Sequence, residues 1–185
     1  MGTIYLNGLG VEPDEAAALE WLLRAAQRGH VVAQANAGAI LLMGKGQRAD
    51  PARGIALLEQ AAGSDDVNAL FNLGVIFSNG EHVPADPKRA AACYRRAAEC
   101  GHYPSQSRLG YMYACGQGVP KDRVQAFLWL TLAAQHGIGT ALTALDGLVR
   151  AMSVEEKQEG MQLFDRWRGR TAAFAGPATL VPTPG

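Results

Sequence analysis

Asp14, Asp50, Asp86 and Asp122 recur at a constant spacing of 36 residues. Carboxylates in fixed register are the raw material of general acid–base chemistry. The histidines His30, His82, His102 and His136 are the next candidates, as proton carriers or zinc ligands. The thiols Cys93, Cys100 and Cys115 complete the set, as nucleophiles or metal ligands. None of these groups assembles into a constellation. His30 and His102 hold the same slot two repeats apart, too distant to share a metal, and His82 and His136 belong to separate turns. The tripeptide Gly44-Lys45-Gly46 is not a phosphate-cradling loop, and no H-E-x-x-H, S-x-x-K or G-x-S-x-G is present. The aspartates have a simpler use. Each precedes a helical segment, and Pro51 and Pro87 follow two of them at the first helical position, where proline is tolerated. Capping of free N–H groups explains all four carboxylates together. The expectation is a chain with no catalytic residues, no metal site and no cofactor.

The elements that carry these residues share the 36-residue register. Gly2, Gly38, Gly74 and Gly110 form one column, and Gly8, Gly44, Gly80 and Gly116 a second. Paired alanines, from Ala25-Ala26 to Ala133-Ala134, form a third. Copies in register without insertion define a repeat array. Each copy reads as two helices. The first covers Ala33 to Met43, Ala69 to Ser78 and Ser105 to Cys115 in the second, third and fourth copies, with the stripes Ala33/Ala37/Leu41, Ala69/Leu73/Phe77 and Ser105/Leu109/Tyr113 turned inward. The glycines at 38, 74 and 110 sit inside this helix, at a cost of about 1 kcal/mol each against alanine. That recurrent cost points to helix contacts too close for a Cβ. Gly44, Gly80 and Gly116 are placed to end the helix in the left-handed conformation. The second helix starts at the aspartate and ends at Gly29, Gly101 or Gly137. Asp65 replaces glycine in the second copy, which predicts a less regular turn there.

Composition narrows the classes of partner. Lys plus Arg (17) equals Asp plus Glu (17), so the basic surface expected of a nucleic-acid or anionic-membrane binder is missing. No stretch approaches the roughly 20 apolar residues that a membrane span needs, so no membrane insertion is expected. Three cysteines without C-x-x-C suit free thiols in a reducing compartment and small packing roles, although a Cys93–Cys115 bridge stays open. Met1 to Gly10 carries no export signal, which favours a cytoplasmic location. Met1 falls in the slot of Ala37, Leu73 and Leu109, so the first copy lacks its opening turn. Such an end exposes apolar surface and invites end-to-end self-association.

The run Leu109-Gly110-Tyr111-Met112-Tyr113, followed by Gly116-Gln117-Gly118-Val119, Asp122, Ala126, Trp129, Ala133-Ala134 and Gly137, resembles the Sel1-like repeat, a tetratricopeptide-related helix–turn–helix unit. Gly8 to Gly29, with Gly10-Val11, Asp14, Ala18 and Trp21, is equally similar. The middle copies depart from the pattern: Leu57 and Cys93 replace the tryptophan, and Gly54 replaces an alanine. The resemblance implies an all-α, right-handed α-solenoid that serves as a non-catalytic adaptor, commonly bacterial. It spans residues 1–145 as four repeats, at about 1–32, 33–68, 69–104 and 105–140. Residues 141–170 read as C-terminal capping helices, the last of them N-capped by Ser153, although Asp146 stands where the glycine column would continue. Residues 171–185, with Pro177, Pro182 and Pro184 and no charge, read as a disordered tail.

Function is then sought in what differs between the copies. The resemblance implies that the first helices line the concave groove. Asn36, Asn72 and Arg108 form a column there, each just before a buried residue. The amides suit the backbone of an extended peptide, and Arg108 suits a carboxylate. Phe71, Val75 and Tyr111 lie nearby as apolar or stacking contacts. The leading expectation is a scaffold binding a protein or peptide. The alternatives are a regulatory or envelope-associated module of a larger protein, and a hydrolase acting on β-lactams or the cell wall. Relatives linked to the last role carry paired cysteines in each repeat, which this chain lacks.

Overall fold

The computed structural model describes residues 14–44 and 49–174, with side chains to residue 170. Nine helices and no strands occupy them: α1 (Glu15–Gln27), α2 (Val31–Met43), α3 (Pro51–Gly63), α4 (Val67–Asn79), α5 (Pro87–Glu99), α6 (Tyr103–Cys115), α7 (Arg123–Gln135), α8 (Gly139–Ala151) and α9 (Val154–Phe174). The helices from α1 to α8 stack in sequence order, each packed on the next, as an all-α solenoid. Helices α2, α4, α6 and α8 form one row and α1, α3, α5 and α7 the other. Within the first row α2 touches α4 and α6 touches α8, while members of the second row stay further apart. We call the first row the inner row and the second the outer row.

The aspartates cap as expected. Asp14 accepts from the Ala17 amide at 2.9 Å, Asp50 from Arg53 at 3.1 Å, Asp86 from Lys88 and Arg89, and Asp122 from Gln125 at 2.9 Å. Their own amides donate back to the preceding helix: Asp50 to Leu41, Asp86 to Phe77 and Asp122 to Tyr113. One residue thus starts a helix and closes the loop before it. Gly44, Gly80 and Gly116 take left-handed φ values of 67, 73 and 75°, ending their helices with an amide donated to the last turn.

The interior glycines mark where the two rows meet. A Cβ on Gly110 would stand 2.7 Å from Leu130 Cγ, and one on Gly38 would stand 2.9 Å from the Gly54 carbonyl oxygen. Gly54, the departure from alanine, is thus half of a glycine-on-glycine contact. The central core runs through Leu58, Leu70, Leu73, Phe77, Tyr94 and Leu109.

Several expectations are corrected. Helices α2, α4 and α6 begin two residues earlier than the apolar stripes suggest, because His30, Asp66 and His102 hold the N-cap position and the first turn lies outside the stripe. The turn at Asp65 is as regular as its counterparts. Asp65 takes φ 58° beside 81, 82 and 79° for Gly29, Gly101 and Gly137. Its amide donates to Ala62 as that of Gly29 does to Ala26. Aspartate tolerates this region better than most residues, and the Arg96 guanidinium secures it, donating to Asp65 Oδ1 and to the Ala62 carbonyl, both at 2.6 Å. All three cysteines are free, and Cys100 and Cys115 are exposed rather than packing residues.

Ser153 caps α9 reciprocally with Glu156, as a capping box. Helix α9 then packs on α7 and hardly touches α8, its neighbour in sequence. Trp167 meets Trp129 edge-on at 4.8 Å, and Gly160 lies against Phe127. This placement explains Asp146. No helix crosses α8 at the glycine slot, so the aspartate there stays exposed and pairs with Arg150 at 2.7 Å. The helix also runs on to Phe174, four residues into the expected tail, with Gly160 and Gly169 inside it and no proline. The readings that concern residues 1–13, 45–48 and 175–185 lie outside the described residues, including the opening of the first copy and its self-association.

Candidate functional site

The inner row differs from the rest of the molecule in its chemistry. Helices α2 and α4, thirteen residues each, contain no charged side chain, and α6 contains one, Arg108. Polar groups on this side are amides and hydroxyls. The outer row is the reverse: α5 alone holds Lys88, Arg89, Arg95, Arg96 and Glu99. All three guanidiniums are engaged, Arg89 with Glu59 at 2.9 Å, Arg95 with the Tyr113 hydroxyl at 2.8 Å and Arg96 with Asp65.

The six residues singled out from the sequence divide among three places. Phe71, Arg108 and Tyr111 come together in one cleft of about 360 Å³, walled also by Pro104, Leu130 and Ile138, with Ser107 and Thr140 among its lining residues. Asn72 and Val75 line a second cleft of about 260 Å³ with Leu42, Met43, Glu81 and His82. Asn36 is half-buried and belongs to neither. Helix α4 borders both clefts, through Phe71 in the first and Asn72 and Val75 in the second. Tyr111 is 54% exposed, so its ring is presented to solvent rather than consumed by packing.

Local folding sets the wall of the first cleft. Phe71 is steadied by His102, whose ring meets it edge-on at 5.1 Å, and by Tyr94 at 5.9 Å. Leu130 comes from the outer row, reaching through because Gly110 leaves room for it. Ile138 arrives from the turn between α7 and α8. Leu130 and Ile138 were not legible as site residues, since neither belongs to the helix face that the column defines. Their apolar character in the fourth copy was the only signal.

His102 Nδ1 lies 2.8 Å from Ser105 Oγ, and burial lowers the pKa of the imidazole below the ordinary histidine value. The folded chain thus favours the neutral ring. Its contribution to stability is complete above the unfolded pKa of about 6.5 and is lost as pH falls through that value toward the lower folded one. Replacing it by His102→Gln is expected to narrow the loss of stability between about pH 7 and pH 5. Urea midpoints of both proteins at the two pH values check this; an unchanged difference would count against the assignment.

On the outer side, clefts of about 470 and 270 Å³ repeat in register at Leu57 and Cys93. These are the slots where the fuller copies carry Trp21 and Trp129. Among the described residues no cluster of three His, Cys, Asp or Glu side chains is arranged to hold a metal ion. No described helix is long and apolar enough to cross a membrane.

The Sel1 repeat model matches residues 1–30, 31–66, 67–102 and 104–138. Among solved structures, a Sel1 repeat protein from Oxalobacter formigenes is 37% identical with a TM-score of 0.73, over 80% of this chain and 42% of its own. The protein c5321, a protective antigen present in uropathogenic Escherichia coli strains and displaying an SLR fold, is 27% identical with a TM-score of 0.84. That match covers 100% of this chain and 40% of the other, so this chain spans about two fifths of both proteins. The cysteine rich protein B of Helicobacter pylori, 22% identical over 72% of this chain and 96% of its own, has a TM-score of 0.56 and shows the fold alone. No curated protein matches the sequence.

Proposed function

Because the chain belongs to the Sel1 repeat family, we propose that it is a non-catalytic scaffold holding a protein or peptide against the concave face of α2, α4 and α6. Proteins of this family generally mediate protein–protein interaction. The observation that carries the reading is the convergence of Phe71, Arg108 and Tyr111 in one cleft, next to the cleft of Asn72 and Val75. Concave, mostly apolar clefts with few polar groups are the usual form of a recognition site. Aromatic and arginine side chains at their centre are the usual carriers of binding energy. The extended run of both clefts suits a peptide strand better than a compact ligand, and the half-buried amide of Asn72 can serve its backbone.

The test is the double variant Asn72→Ala, Arg108→Ala against a partner captured from the native host. Both side chains reach solvent, so stability should change by no more than about 0.5 kcal/mol. Affinity should fall by about tenfold or more. Unchanged affinity in a folded double variant would remove these residues from the interface.

A further inference from the structure

The charge pattern of the inner row identifies the chemistry of what it holds. Arg108 is exposed, and among the described residues it makes no hydrogen bond and no ion pair. Arg24, Arg89, Arg96, Arg123 and Arg150 all have carboxylate partners. On α8 the only charges, Asp146 and Arg150, neutralise each other. Helices α2, α4 and α6 therefore carry one charged side chain between them, the unpartnered Arg108, while Glu81 and His82 reach the neighbouring cleft from the loop after α4. Arg108 lies in a cleft whose other walls are largely apolar, Phe71, Leu130 and Ile138 among them.

We propose that the occupant of this face is an extended peptide bearing one carboxylate, which Arg108 grips, beside an apolar side chain seated against Phe71 and Ile138, and with no second acidic residue. The proposal rests on the concave-face reading above and specifies its partner. Three physical points favour it. A guanidinium presents a planar fork that matches a carboxylate bidentately. One guanidinium balances one unit of charge, whereas a phosphate group brings about 1.5 to 2 and would be left partly uncompensated on a face with no second cation. Further acidic residues on the peptide would be desolvated against α2 and α4, which carry no cationic side chain, and would meet Glu81 in the second cleft. Charge thus selects one residue of the peptide, and apolar and amide contacts select the rest.

The experiment uses the full chain and a displayed library of random dodecapeptides, with the selected peptides then synthesised. Each is measured with its single acid intact, with that acid replaced by Asn or Gln, and with the C-terminus amidated. The last form separates a terminal carboxylate from a side-chain one. Selected peptides are expected to carry one acid within a few residues of a leucine, isoleucine or phenylalanine. Arg108→Gln should weaken them about tenfold or more. Removing the peptide's acid should weaken binding to the parent chain by a similar factor and add nothing in Arg108→Gln. With one charge pair, raising salt from about 50 to about 500 mM should weaken binding only a few-fold. If Phe71→Ala abolishes binding while Arg108→Gln and acid removal do not, the carboxylate is wrong and the concave reading survives. If the library yields no binders, or binders indifferent to both substitutions, the concave reading falls and the proposal with it.

Discussion

Replacing Gly118 by alanine is expected to destabilise the chain by about 2–5 kcal/mol, the largest effect of any single methyl group in the array. Two causes combine. Gly118 holds φ +68°, where an L side chain costs about 1–2 kcal/mol. A Cβ there would also run into the carbonyl group of Pro87, the first residue of α5 in the preceding repeat. That obstacle is backbone anchored at a capped helix start, so it cannot swing aside as a side chain would. Overpacking of this kind typically costs about 1–3 kcal/mol more. His82 offers the control. It occupies the equivalent position one repeat earlier with φ 66°, so the conformation alone is tolerated. His82→Gly should be neutral or stabilise by about 1 kcal/mol, since it only relieves the backbone. Chemical denaturation of both variants decides the matter. A Gly118→Ala protein within 1 kcal/mol of the parent, a bound set by ordinary surface substitutions of about ±0.5 kcal/mol, would show that the loop does not bear on Pro87.

Gly74→Ala is the second. Helix propensity favours the alanine by about 1 kcal/mol, so a propensity argument alone forecasts stabilisation. Packing reverses the sign. The new Cβ would lie 2.5 Å from Cε1 and 2.7 Å from Cδ1 of Tyr94. That ring is 1% exposed and closed in by the central core, with Phe71 against it. It has no free rotamer into which to retreat. A clash at the upper end of the overpacking range, less the propensity gain, leaves a net loss of about 2 kcal/mol. Gly63→Ala is the reference, because a Cβ on Gly63 meets nothing within 4 Å. Thermal or urea unfolding should move the two variants in opposite directions, or at least leave Gly63→Ala unchanged. Equal behaviour would mean that Tyr94 yields more easily than its burial implies.

Gly74 belongs to a column that the spacing singled out and Gly118 to the repeat pattern, yet only coordinates supply the obstacle at either. The glycine column implied close contacts, but a sequence does not say that Leu58, Tyr94 and Leu130 fill the facing slot. The same limit applies to the candidate site. Arg108, Phe71 and Tyr111 were found because they lie on one helix face or one register, which periodicity reveals. Their partners Leu130 and Ile138 come from other elements and are joined to them only by packing. Asn36 has the same periodicity, and the positions in register with the walls of the Asn72 cleft fall around it largely at residues 3–7 and 45–46, outside the described residues.

Helix α7 carried a signal that periodicity passes over. Its segment Arg123-Val124-Gln125-Ala126-Phe127-Leu128-Trp129-Leu130-Thr131-Leu132 has no polar side, and a helix apolar all round must be covered all round. Helix α9 is the cover, burying Leu128 and Leu132 on the side that the other outer helices leave to water.

What the sequence determined by itself is the local order: four copies, two helices in each copy that the described residues cover in full, where the second helices start and how the first ones of those copies stop. Aspartate capping and the left-handed preference of glycine act within a few residues, so a constant spacing reproduces them in every copy. What only the tertiary structure decided is the choice between alternatives that are equal locally. These are the regular turn at Asp65 held by Arg96 from the next repeat, the docking of α9 on α7 instead of α8, and the gathering of Phe71, Arg108 and Tyr111 around one cleft. Each depends on contacts between residues about thirty or more apart, whose energies come from burial and geometry rather than from residue type.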